Sequence, residues 1–177
     1  MTSLRFFTSA GLLASTLAFG ACAPGSPAAS AVVKNCTDVN IHLHVGVAQG
    51  AAGTIFYPLV LTTTGPACAL WGTPMVQPVV GGAIHSRLSV GPAARNLSRG
   101  EMPAHHILTR AHALSAAFGV SESGNYPAST CRPRNAGGII VTLAPFVRPR
   151  YLTLPISVCT QIASTTTQLL SPGTTGA

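Results

Sequence analysis

Nearly one residue in five is glycine or proline, 18 and 14 of the 177. They punctuate short apolar runs, at Gly65-Pro66, Gly81-Gly82, Ser123-Gly124-Asn125 and Gly137-Gly138. Turn formers at that spacing interrupt long helices and favour many short strands. Charged residues are only 7% of the chain, so self-repulsion does not keep it unfolded, and the 47% that are hydrophobic can supply a core.

The clearest strand signal is Val39 to Val47. Val39, Ile41, Leu43, Val45 and Val47 alternate with Asn40, His42, His44 and Gly46, and period two predicts a half-buried strand. Gln49 to Gly53 reads as a small-residue turn. Thr54 to Thr64, rich in β-branched and aromatic residues, reads as a second strand. Pro58 lacks a ladder donor and belongs at an edge or bulge. Ala67 to Trp71 then reads as the return strand of a hairpin, with Trp71 packed on a disulfide in the core. Further strands are expected at Val76–Val80, Ile84–Val90, His105–Ala111, Ala116–Val120, Ile139–Leu143, Tyr151–Val158 and Thr165–Leu170. Ala104 to Ala117 also has a composition compatible with a helix, but the pattern around it favours a strand. The expected fold is all-β: an immunoglobulin-like, two-sheet antiparallel β-sandwich with two disulfides.

The N-terminus reads as an export signal. MTSLR carries one positive charge, at Arg5, and FFTSAGLLASTLAFGA follows as 16 uncharged residues. That is shorter than the roughly 20 apolar residues a spanning helix needs. Phe19-Gly20-Ala21-Cys22 resembles a bacterial lipobox, which makes Cys22 the candidate lipidation site, and APGSPAAS after it suits a tether. Cleavage after Ala29-Ser30-Ala31 is the rival reading. The expected organisation is therefore residues 1–21 as signal, 22–34 as flexible tether, 35–171 as the sandwich and 172–177 as a disordered tail.

With Cys22 lipidated or removed, Cys36, Cys68, Cys131 and Cys159 remain. Four cysteines allow three connectivities. Hairpin-rich sandwiches often join chain neighbours, which gives Cys36–Cys68 and Cys131–Cys159. No CxxC occurs, so neither a thioredoxin-type site nor a zinc ribbon is supported.

Several pieces fall in a specific order: Gly50 to Gly53, Tyr57-Pro58-Leu59-Val60, Cys68-Ala69-Leu70-Trp71-Gly72-Thr73-Pro74, Gly91-Pro92-Ala93-Ala94-Arg95, and Asn125-Tyr126-Pro127 before Cys131. In this order the chain resembles the secreted actinobacterial family known as the domain of unknown function numbered 4232. The resemblance implies an exported or lipid-anchored β domain and carries over no catalytic residue.

Enzyme chemistry is short of carboxylates, with Asp38, Glu101 and Glu122 alone. A glycosidase pair would have to combine Glu101 with Glu122 or Asp38. A Ser-His-Asp triad would rest on Asp38, and GxSxG is missing. No phosphate loop or dinucleotide fingerprint occurs, and no cofactor is expected. Among six histidines, His42 and His44 share a strand face about 6.6 Å apart, two rises of roughly 3.3 Å. They are weak metal candidates for copper or zinc, should His105, His106 or His112 approach them.

Without Arg5, nine basic and three acidic residues leave a charge of +6. The arginines at 87, 95, 99, 110, 132, 134, 148 and 150 are scattered, with no interleaved aromatics to suggest nucleic acid. The expected function is a non-catalytic envelope binding module, held to the membrane by its lipid. Its partner would be an envelope protein or an anionic wall or lipid component. Histidine-based metal binding and a secreted hydrolase are the alternatives.

Overall fold

The computed structural model describes residues 32–81, 88–144, 146 and 148–176. The export signal, Cys22, Arg87 and most of the Ile84–Val90 candidate lie outside the described residues. Thirteen strands are present among those described: β1 (Ile41–Val45), β2 (Gln49–Ala51), β3 (Thr54–Thr63), β4 (Cys68–Leu70), β5 (Met75–Val80), β6 (Leu88–Ser89), β7 (Arg95–Asn96), β8 (His106–Leu108), β9 (Leu114–Ser121), β10 (Pro133–Thr142), β11 (Arg150–Cys159), β12 (Thr165–Thr167) and β13 (Ser171–Pro172). Among the described residues helix is confined to single turns, of which α1 (Ala128–Cys131) is the one α-helical turn.

The strands form two main sheets. The larger runs β1-β3-β9-β12-β7, with β2 added to β3 and β13 to β9; the smaller runs β11-β10-β5-β6. Their facing sides share one core. Leu59, Phe118 and Val120 from the large sheet meet Val76, Ile139, Val141, Ile156 and Val158 from the small one. The long strands β3, β9, β10 and β11 contribute alternate residues to it, as period-two geometry requires. A two-stranded ribbon, β4 with β8, covers a second apolar cluster that includes Ile41, Leu61, Leu70, Leu108 and Leu114. That cluster sits at the Thr63 end of β3, so the ribbon caps one end of the sandwich.

The two bridges are Cys36–Cys68 and Cys131–Cys159, and all but Cys68 are fully buried. The first fastens the segment before β1 to β4. The second joins α1 to the last residue of β11. Both suit an oxidising compartment.

Several local expectations change in three dimensions. The alternating strand is shorter than its pattern. Ile41, Leu43 and Val45 turn inward, but Val39 and Val47 are each 85% exposed. Asp38–Asn40 is a single 3-10 turn, fixed where Asn40 O accepts from Thr63 Oγ1 and Thr64 N. Gln49–Ala51 is strand, and the turn is the two-residue loop Ala52-Gly53. Its φ angles, 45° and 74°, have the signs of a type I′ hairpin turn.

Pro58 lies inside a strand flanked on both sides, but it opposes Gly46, just past the end of β1, where its missing N–H leaves one bond of the pair unmade. Pro58 O accepts from Gly46 N at 2.7 Å. The N and O of one antiparallel residue face the same neighbour. The donorless nitrogen therefore points into the gap between β1 and β2.

The expected hairpin of β3 with β4 does not form. Strands β1 and β9 occupy the two edges of β3, so β4 pairs β8 instead, Cys68 opposite Leu108. Trp71 is half-buried and stacks on His105, ring centroids 4.3 Å apart, because Leu70 takes the inward position beside it. The sheets are not wholly antiparallel. Strand β7 runs parallel to β12, since the chain crosses over from the small sheet, where Ala94 N bonds Val76 O, and arrives in the direction of β12.

The expected tail also packs. Ser171-Pro172 pairs β9, Gly173 N bonds Ala113 O, and Gly176 N donates to Ser115 Oγ at 2.8 Å. Gly176 lies so close to Ala117 that an added Cβ would come within 3.1 Å of its backbone.

One core hydroxyl is unmatched. Thr165 is 1% exposed, and its Oγ1 has no hydrogen-bond partner among the described residues. An unmade bond of that kind costs about 1–3 kcal/mol. Thr165→Val, which keeps the shape and removes the hydroxyl, should raise the unfolding free energy in urea by about 1 kcal/mol.

Candidate functional site

The end of the sandwich opposite the ribbon is open, and its geometry follows from the strand period. Ile55, Tyr57 and Leu59 share the inward face of β3. Leu59 is completely buried, while Tyr57 and Ile55 are only half-buried. The core thus opens toward Thr54. There the sheets enclose a pocket of about 420 Å³. Ile55, Tyr57, Val120 and Ile156 form its apolar walls. Glu122, Ser123 and Ser157 stand among its polar residues.

The rim is held by short-range bonds. The 3-10 turn Ser123–Asn125 follows β9 directly. Gly53 O accepts from Glu122 N and from Asn125 Nδ2, both at 2.9 Å, tying that turn to the β2–β3 hairpin. Gly53 needs its positive φ and has no space for a Cβ, which would lie 2.5 Å from Asn125 Nδ2. On the other wall, Ser123 Oγ lies 3.4 Å from Ser157 Oγ of β11. Glu122 is exposed and is the sole ionisable carboxylate in the lining; no ion pair to it occurs among the described residues.

The other two carboxylates are elsewhere. Asp38 lies beyond the Thr63 end of β3 and Glu122 at its Thr54 end, nine residue steps or roughly 30 Å apart. A glycosidase pair needs about 5–9.5 Å. Asp38 is also committed: Oδ2 accepts from Arg148 N at 3.2 Å, and Oδ1 lies 3.6 Å from Arg150 Nη2. Its carboxylate faces arginine chain, not a histidine, so it does not complete a Ser-His-Asp triad. Glu101 extends from the turn at Ser98, whose hydroxyl accepts from Leu169 N. That places it past Thr167, toward the other end of β9 from Glu122.

Among the described residues the arginines do not form one surface. Arg134 pairs Val158 and Arg150 pairs Val141, seven steps along β10, roughly 23 Å. Arg150 is held by Asp38, and Arg110 Nε donates to Thr64 O. Arg95 lies in the other sheet.

His42 and His44 are exposed on β1, an edge strand, opposite Thr62 and Val60. His105 is engaged with Trp71, and His106 pairs Leu70 in the ribbon. Among the described residues no three His, Cys, Asp or Glu side chains come together as a metal site. Two exposed imidazoles without a third ligand should bind weakly. Calorimetric titration with zinc and copper is expected to give dissociation constants above about 1 µM. Submicromolar binding lost in a His42→Ala, His44→Ala double variant would contradict this.

A second groove, about 290 Å³, lies on the outer face of the large sheet between Gln49, Phe56 and the C-terminal Thr175-Gly176. It has no ionisable side chain to orient a ligand. Among the described residues no helix is long and apolar enough to cross a membrane.

The sequence pattern presents Glu122 only as a candidate catalytic acid. The usable signal was that one of three acids precedes the Ser-Gly-Asn turn. Comparison with family models, with curated proteins and with solved structures yields no match.

Proposed function

We propose that this chain is an exported, non-catalytic binding module of the cell envelope, anchored by lipid on Cys22. On this reading the domain is an immunoglobulin-like sandwich akin to the secreted family numbered 4232. Its partner is an envelope protein or an anionic wall or lipid component. The observation that carries the reading is the contrast between the two ends of the domain. One is closed by the ribbon and the Cys36–Cys68 bridge; the other opens into a walled pocket with one carboxylate at its rim. Rigid scaffolds with one open loop-lined end are where binding sites are usually built.

The test is photo-crosslinking in the native envelope, with the crosslinker placed at Ser123 and, as control, at Arg110. A reproducible partner captured from Ser123 and not from Arg110 is the expected result. A hydrolase turnover abolished by Glu122→Gln would overturn the module reading.

A further inference from the structure

We infer that the open-end pocket recognises an ammonium group carried on a short apolar stem. The inference deepens the binding-module reading and rests on it. Its basis is the charge inventory of the pocket set against that of the chain. Ten basic residues face three acidic ones. In such a chain a carboxylate has many possible partners, and Asp38 has taken Arg150. Glu122 has no such pairing among the described residues, and no arginine or lysine lines the pocket beside it.

The remaining lining fits the same ligand. Tyr57 presents an aromatic ring that is half-buried, already tilted against Phe118 at 6.5 Å. A cation near a tyrosine face gains from the ring quadrupole. Ile55, Val120 and Ile156 give the stem an apolar surface, and Ser123 and Ser157 offer hydroxyl acceptors for ammonium protons. An anion would meet Glu122 with no compensating cation. A neutral ligand would gain nothing from the carboxylate, which is exposed and keeps its hydration. The volume, about 420 Å³, falls within the range of small-molecule sites, about 300–1,000 Å³.

The ammonium could belong to a free amine or to a lysine side chain, and the experiment separates them. The full folded domain is titrated, with amide chemical shifts followed by NMR, using three probes on one aromatic stem: benzylammonium, benzyl alcohol and benzoate. Nα-acetyl-lysine methylamide is the fourth probe. Benzylammonium or the lysine probe should shift Ser123, Gly124 and Ser157, and the tighter of the two identifies the source. Glu122→Gln should weaken cation binding about three- to tenfold, the range of a partly exposed charge contact with an added ring contribution. Gly124→Phe supplies an independent check, since Gly124 lines the pocket and a Cβ there meets nothing within 4 Å. It should abolish the shifts while leaving the thermal midpoint unchanged. Benzyl alcohol binding as tightly as benzylammonium, unaffected by Glu122→Gln, would overturn the cation inference and leave the module reading intact. No shift from any probe would overturn the inference, and the crosslinking result would then decide the module reading separately.

Discussion

Removing either disulfide should cost between about a quarter and four-fifths of the domain's stability. The bridges span 32 and 28 residues. Loop-closure entropy then gives about 3.5–4 kcal/mol for each. Domains of this kind have about 5–15 kcal/mol in total. Cys36→Ala with Cys68→Ala, or Cys131→Ala with Cys159→Ala, should each lower the thermal midpoint by roughly 10–20 °C. Reduction of both bridges should leave the chain unfolded at 37 °C. The two double variants should also differ in kind. The first loosens the ribbon end, where Cys36 N and Lys34 O are both hydrogen-bonded to Ala69. The second loosens the open end, where Thr160 N bonds Cys131 O, and it alone should alter ligand shifts at the pocket. A midpoint change below about 3 °C in either would contradict this account of the staples.

Phe118→Ala should be nearly as damaging. Its side chain is completely buried in the core between the sheets. Truncating a buried phenylalanine costs about 3–5 kcal/mol, through lost burial and the cavity left behind. Ile41→Ala should cost about 2–5 kcal/mol, since Ile41 is 5% exposed. Val39→Ala should fall within about ±0.5 kcal/mol, since Val39 is 85% exposed. Equilibrium unfolding in guanidinium measures all three. The Val39 and Ile41 pair separates the folded structure from the alternation pattern, which places both residues on one buried face.

That pair also shows what was legible in the chain. Alternation and turn punctuation are local, so most strands could be read where they occur, and β3, β5 and β11 lie close to their expected positions. The two bridges follow the pairing of chain neighbours. Pairing between strands is not local. Whether β4 could return along β3 depended on β1 and β9 having taken its edges, and β9 lies about fifty residues further on. The tail from Pro172 has the composition of disorder, and through Gly176 it packs because Ser115 and Ala117 leave a shallow outer face on β9 for it. The pocket was hidden for the same reason. Ile55, Val120 and Ile156 come from three distant strands, and no local pattern announces that their inward faces diverge at one end.

The proposed export and lipid anchor, together with the two bridges, can be checked in a single intact-mass measurement on the native protein, recovered from its envelope without reduction. The expected species begins at Cys22, carries acyl mass and lacks four hydrogens for the two bridges. A chain beginning at Val32 without acyl mass would contradict the anchor, and a chain retaining Met1 with free thiols would contradict export altogether.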